Sequence, residues 1–282
     1  MTLKHIKELL QTSIGTEGSL LIPRKIYDTI IDEAEKNLVP RSEAAYFFGQ
    51  SDIPGSSIDL DLLTPNSLDV REIAEGAEIW NDATAYTNLN LKPIKYGTAI
   101  RITREMLEDG KWNLLEHAAR IAGRRLAENE TSLIFTALTG AANTVAGGAA
   151  ITITNINRAR QYLLDSDYFP TTMLAGVEAT TDISNIDTFA EWDKFGNREM
   201  QERGMVGMIY GMKLYTISTN AGWTSTTSFV LDREHAYAIA EKRAISLENF
   251  ELPLYDMSGA TVTQRLRVRL VRSSAVARIT SS

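Results

Sequence analysis

The sequence predicts an α+β fold, with one long helix near the middle and strands gathered before and after it. Three observations lead there. Leu115, Ala119, Ala122, Leu126, Leu133 and Ala137 recur at steps of three, four or seven up to Gly140, the rhythm of an amphipathic helix. Ile58, Leu60 and Leu62 alternate with Asp59 and Asp61, the period of a half-buried strand. Near the end, Val262, Leu266, Val268 and Leu270 alternate with Arg265, Arg267 and Arg269 in the same way. No internal repeat is present.

Taken in order, the first ten residues fit a short helix with Ile6, Leu9 and Leu10 on one side. A polar stretch from Ser13 to Ser19 follows, as an arm would. Pro23 opens a second helix in the favoured first turn, and Pro40 stops it. Between them Ile26, Ile30, Ala34 and Leu38 step by four. Residues 44–102 read as strands and turns. Leu89 and Leu91 lie on one parity and Ile94, Tyr96, Ile100 and Ile102 on the other. The slip falls at Pro93, which predicts a bulge or bend in a long hairpin arm. Within this region runs an acidic series, Asp69, Glu72, Glu75, Glu78 and Asp82, with Arg71 and Trp80 inside it.

Thr103–Glu108 is expected to be a short turn. Asn113 with Glu116 then resembles a capping box, opening a helix of about 26 residues and about 40 Å at 1.5 Å per residue. The stretch from Gly140 to Ala150 reads as a flexible Gly/Ala connection and a domain boundary. Asn155 or Asn157 is expected to cap a helix carrying Ala159, Tyr162 and Leu163, and a further helix is expected over 187–203. Strands are expected at Thr172–Ala175, Lys213–Ser218, Ser228–Leu231 and Ala236–Ala240.

Composition narrows the function. Apolar residues are 44% and charged residues 23% of 282, average for a folded domain and incompatible with disorder. The net charge is −7, opposite to that of a surface that grips phosphates as a whole. With no cysteine, disulfides, thiolate zinc sites and cysteine nucleophiles are excluded. The N-terminus lacks the apolar core of a signal peptide and no stretch is long enough to span a membrane, so a soluble protein made in the cytosol is expected.

No catalytic, cofactor-binding or metal site emerges. His5, His117 and His235 share no ligand spacing. Gly140–Gly148 lacks the Lys-Ser/Thr of a phosphate loop and follows a helix instead of a strand. Gly204, Gly207 and Gly211 have the wrong spacing for a dinucleotide turn and fit tight turns before the strand at Lys213. The acidic series around Trp80 could bind a divalent cation, although a solvated or interface-facing arm is the commoner use of such a run. Asn129-Glu-Thr131 matches a glycosylation acceptor but falls inside the long helix. Arg265, Arg267 and Arg269 form a one-sided basic row spaced about 7 Å apart. Either the carboxylates of a neighbouring copy meet it, or it is the wet face of a sheet.

Several segments together resemble the major capsid proteins of tailed viruses, whose fold is shared with encapsulin nanocompartments. They are Gly18-Ser-Leu-Leu-Ile-Pro23 before a helix, Ala74-Glu-Gly-Ala-Glu78 followed by Leu89 to Ile102, and Ile102-Thr-Arg-Glu-Met-Leu-Glu-Asp109 leading into Leu115–Gly140. Further on come Gly204-Met-Val-Gly-Met-Ile-Tyr-Gly211-Met-Lys-Leu-Tyr and Arg265 to Ile279. The resemblance spans roughly residues 18 to 282.

It implies the tailed-phage major capsid fold. The N-terminal arm and first helices would occupy 1–40 and the extended hairpin loop region 41–102. The peripheral domain with its spine helix would take 103–148, the axial domain 149–240, peripheral return strands 241–272, and a return to the axial domain 273–282. It implies a non-enzymatic shell protein without cofactors, located in the virion and assembled in the host cytoplasm. Its partners would be other copies of itself in pentamers and hexamers around double-stranded DNA held without sequence specificity, with room for scaffold, portal and cement proteins and no membrane. About 17 residues precede the match, so a scaffolding segment is expected to be separate or already removed. Lys92 and Lys95 fall where some family members cross-link, but no partner asparagine is assignable and no cross-link is expected. The expected intersubunit residues are Glu72, Glu75, Glu78 and Trp80 on one copy and Arg265, Arg267 and Arg269 on the next. The alternative within the same fold is an encapsulin shell around a cargo enzyme. A soluble hydrolase or binding protein is the alternative outside it.

Overall fold

The computed structural model describes residues 39–63, 70–76, 78, 86–103, 114–186 and 205–281. The two expected N-terminal helices, the turn at 103–108 with its capping box, and the expected helix over 187–203 lie wholly or mostly outside the described residues.

Helix α1 (Leu114–Leu138) is the expected long helix, 25 residues and about 37 Å long. Its buried stripe is Ala122, Leu126, Glu130, Ile134 and Leu138, a strict four-residue step. The sequence reading had placed Leu133 and Ala137 on that stripe, but they are only half-buried. The stripe packs on a four-stranded sheet ordered β1-β10-β11-β4. Its strands are β1 (Tyr46–Phe48), β4 (Ile94–Thr103), β10 (Tyr237–Leu252) and β11 (Met257–Leu270). The strand expected at Ala236–Ala240 thus continues far beyond it. β10 and β11 form a hairpin about 50 Å long, closed by a 3₁₀ turn at Pro253–Tyr255. At the closure Leu254 is 95% exposed.

β2 (Ile58–Leu63) pairs with β3 (Tyr86–Leu91) in a separate two-stranded ribbon, from Ile58 opposite Leu91 to Leu63 opposite Tyr86. The parity slip at Pro93 proves to be a change of sheet: β3 stays in the ribbon while β4 leaves it to pair with β11. Pro93 has no N–H to offer either ladder, so the junction is where the chain loses least by leaving. The ribbon therefore ends at Leu91, short of the single arm to Ile102 that alternation suggested.

The second large sheet has six strands ordered β5-β12-β9-β6-β8-β7. They are β5 (Asn143–Gly148), β6 (Thr172–Gly176), β7 (Met205–Ile209), β8 (Met212–Ile217), β9 (Thr227–Leu231) and β12 (Val276–Ser281). β5 corrects the reading of Gly140–Ala150 as a loop. It pairs in parallel with β12, and a Cβ on Gly147 would stand 3.0 Å from the Thr280 carbonyl, so the glycines permit this close pairing. β7 and β8 turn through Tyr210 and Gly211, both at positive φ, a primed two-residue turn; Gly207 lies within β7 itself.

Helix α2 (Ile153–Leu164) starts after Thr152, whose Oγ1 donates to Asn155 Oδ1 at 2.7 Å. Asn155 is therefore inside the first turn and is not its cap. Helix α3 (Val177–Ser184) was not anticipated. α2 and α3 cover one face of β6 and β9, where Met173, Ala175 and Val230 are buried. The opposite face sends Leu174, Phe229 and Leu231 into a core shared with Ile134 and Leu138 of α1 and with Tyr237, Ile239, Leu266 and Val268 of the four-stranded sheet. Burial on both faces explains why β6 and β9 read as continuous apolar runs.

Candidate intersubunit surfaces

Behind the surfaces lies a polar junction that the sequence reading does not single out. The 3₁₀ turn Val39–Glu43 lies where α1 meets both large sheets. Arg41 Nε donates to Glu130 Oε1 at 2.7 Å, and its other arm reaches Glu130 and Glu241. Gln264 donates to Glu130 Oε2 at 3.1 Å. Burial works against the Arg41 charge, but the two carboxylates outweigh it and raise its pKa. Burial pushes the Glu241 carboxyl up; Arg41 pulls it down, and Glu130 adds to the rise. Glu43 points towards the six-stranded sheet, accepting from Thr172 at 2.7 Å and Tyr215 at 3.2 Å. Tyr237 donates its hydroxyl to the Pro40 carbonyl. The signal for this cluster was present in the sequence: Glu130 interrupts a four-step apolar row, which marks a buried and partnered charge.

The β2–β3 ribbon rests on the outer face of the four-stranded sheet, where Leu91 and Ile53 are fully buried with Ala238 and Ala240. Its own outer face is polar, with Asn88 donating to Asp61 at 2.7 Å and Asn90 to Asp59. Beyond the ribbon, Glu72, Glu75 and Glu78 are all exposed, and Val70 is 98% exposed. Trp80 lies outside the described residues.

Arg265, Arg267 and Arg269 stand on the face of β11 turned away from α1, since Leu266 and Val268 fill the helix side. Their environments differ along the row. Arg265 is half-buried and donates from Nε to the Pro93 carbonyl at 3.1 Å. Arg267 and Arg269 line a cleft of about 350 Å³ with Leu89 and Leu133. No described ion pair joins this row to Glu72, Glu75 or Glu78 within the chain.

A second cleft, of about 520 Å³, is lined by Gln50, Pro93, Lys95, Lys242, Arg243 and Arg265. Of its four cations the sequence singles out Arg265 for the basic row and Lys95 only as a cross-linking position; strands far apart in the chain bring them together with Lys242 and Arg243. Among the described residues no group of three His, Cys, Asp or Glu side chains is placed to hold a metal ion. His235 pairs with Asp232 at 2.9 Å, a local contact between residues three apart, and His117 is exposed. No described helix is long and apolar enough to cross a membrane.

Comparison with known proteins agrees with this architecture. Residues 87–271 match the family model described as phage capsid protein. A chain of Mycobacterium phage Bobi superposes with a TM-score of 0.62 at 18% identity, over 84% of this chain and 89% of that one. The mature capsid of bacteriophage PhiM1 gives 0.63 at 11% identity, over 86% of each chain. A virus-like particle from Pyrococcus furiosus gives 0.61 at 11% identity, over 91% of this chain and 98% of that one. No curated protein matches. At these identities the solved structures establish the fold, and the family model spans well over half the sequence. The chain therefore has the capsid fold and belongs to the phage capsid protein family as a structural protein of the capsid shell.

Proposed function

We propose that this chain assembles through pentamers and hexamers into a closed icosahedral shell around a double-stranded DNA genome, without catalytic activity. Scaffold, portal and cement proteins are its further partners. In this reading the four-stranded sheet with α1 is the peripheral domain and the six-stranded sheet the axial one, so β5 goes with the axial domain although the expected boundary at 148 puts it in the peripheral one. The observation that carries the reading is the exposed acidic segment. Glu72, Glu75 and Glu78 are exposed beside the exposed Val70 and Ile73, an apolar and charged surface that the described residues leave uncovered. The acidic segment of one copy, with Trp80, faces the basic row Arg265, Arg267 and Arg269 of the next.

Electron microscopy of the purified protein, with scattering mass and the absorbance ratio at 260 and 280 nm, tests the proposal. Closed shells or isolated pentamers and hexamers are expected, with nucleic acid inside virion-derived particles. A monomer that never assembles, even with a scaffold supplied, would overturn it. Shells filled with a protein cargo would favour the encapsulin reading. Mature shells are expected to run as single chains on a denaturing gel; a covalent ladder would contradict the absence of cross-links.

A further inference from the structure

The cleft at Lys95, Lys242, Arg243 and Arg265 has a feature that strand geometry makes costly. In the four-stranded sheet Arg265 of β11 pairs with Lys95 of β4 on one side and with Arg243 of β10 on the other. Three like charges thus form one rung across three adjacent strands. Side chains directly opposite in an antiparallel pair stand about 5 Å apart, where like charges repel. The register of β10 also breaks on both sides of Arg243, between Glu241 and Arg243 and between Arg243 and Ser246. Such irregularities re-aim side chains. Here Glu241 turns inward to Arg41, while Lys242 and Arg243 both line the cleft.

Among the described residues nothing in the cleft offsets the four cations, and no carboxylate lines it. Lys242 donates to the Ile53 carbonyl and Arg265 to the Pro93 carbonyl, both neutral acceptors. Arg243 Nε is buried and makes no hydrogen bond, a donor that normally finds a partner. At about 520 Å³ the cleft has the size of a small-molecule site. Arginine forks and lysine ammonium groups converging on such a space match an oxyanion with several acceptor oxygens.

We propose that this cleft is a binding site for a compact multivalent oxyanion of the phosphate class, held by Lys95, Lys242, Arg243 and Arg265 with Gln50 at its rim. The bound anion neutralises the rung and ties β4, β10 and β11 to the 3₁₀ turn Gln50–Asp52 under the ribbon. Arg265 then serves the cleft, leaving Arg267 and Arg269 as the part of the basic row offered to a neighbouring copy.

The test is titration calorimetry and thermal melting of the full chain with inorganic pyrophosphate, at an ionic strength held constant with chloride. Saturable binding and a rise in Tm are expected. Lys95→Gln, at an exposed position that leaves the sheet intact, and the double variant Lys95→Gln/Arg265→Gln should weaken binding about tenfold or more, as expected for loss of charge-assisted hydrogen bonds. Lys213→Gln, on the other sheet, should bind as the unaltered chain does. Equal pyrophosphate binding by all these proteins, or none by the unaltered chain, overturns the proposal. A short DNA duplex added in competition identifies the source: displacement assigns the site to backbone phosphates, and no displacement to a free phosphate compound. Displacement by a peptide of residues 70–78 would overturn it in favour of the cleft as a dock for the acidic segment of another copy.

Discussion

A carboxylate in the middle of an apolar helix stripe has to be partnered, and Glu130 is partnered twice, by Arg41 and Gln264. With its side chain 1% exposed, removing it leaves a guanidinium and an amide facing an empty site. Glu130→Ala is expected to destabilise the unassembled protein by about 3–5 kcal/mol, measured by chemical denaturation; a loss below about 1 kcal/mol would mean the pair behaves as a surface contact. Glu241 behaves differently, because burial raises its pKa in the folded state. A carboxyl whose folded value lies above its unfolded one favours folding when protonated. That contribution is complete below the ordinary carboxyl value of 4.5 and is lost as pH rises through the folded value. Glu241→Gln keeps an acceptor for Arg41 and removes the buried charge. The variant should melt at or above the unaltered chain at neutral pH, with the difference shrinking as pH falls. A variant that melts lower at neutral pH, by a margin that shrinks on acidification, would reverse the sign.

At the scale of elements, the turn between β7 and β8 shows how one residue sets a register. Gly211 has φ of +81° and follows Tyr210 at +50°, and together they align Ile209 with Met212, both fully or almost fully buried. A β-branched side chain tolerates that backbone poorly. Gly211→Val is expected to cost about 1–3 kcal/mol, seen as a lower midpoint in denaturant with an unchanged slope. An unaltered midpoint would show that the turn has freedom to change type. The Pro93 junction acts at the same scale, since it lets consecutive strands serve two sheets. A change in hydrophobic parity marks such a corner, but parity alone does not say whether the chain bends within one sheet or changes partner.

For the whole molecule, the two large sheets share one core through α1, the ribbon rests on the outer face of the four-stranded sheet, and the acidic residues 72, 75 and 78 beyond it are exposed. Seven carboxylates stand against one arginine between Ile58 and Leu91. Assembly that joins this segment to a basic surface should weaken as salt rises, because exposed charges more than about 8–10 Å apart are screened at physiological ionic strength. Reversing Glu72, Glu75 and Glu78 together to Lys is expected to leave the melting of isolated chains nearly unchanged and to abolish closed particles, scored by electron microscopy. Particles formed at the normal yield would remove these residues from the interface.

The sequence by itself determined the α+β class, the long helix, the alternation of β2 and β11, and the resemblance to capsid proteins. Each rests on periodicity or order along the chain, which local sterics and burial impose directly. Tertiary structure alone decided what depends on pairing between distant segments. A glycine-rich stretch, Asn143–Gly148, became a strand because β12 offered it an edge. Arg41 found Glu130 and Glu241 across 89 and 200 residues of sequence. Arg265 met Lys95 and Arg243 only because three strands align in one register. Register belongs to the folded sheet: a one-residue slip would turn every side chain to the other face, and no local pattern in any one strand says which residue of another will stand opposite.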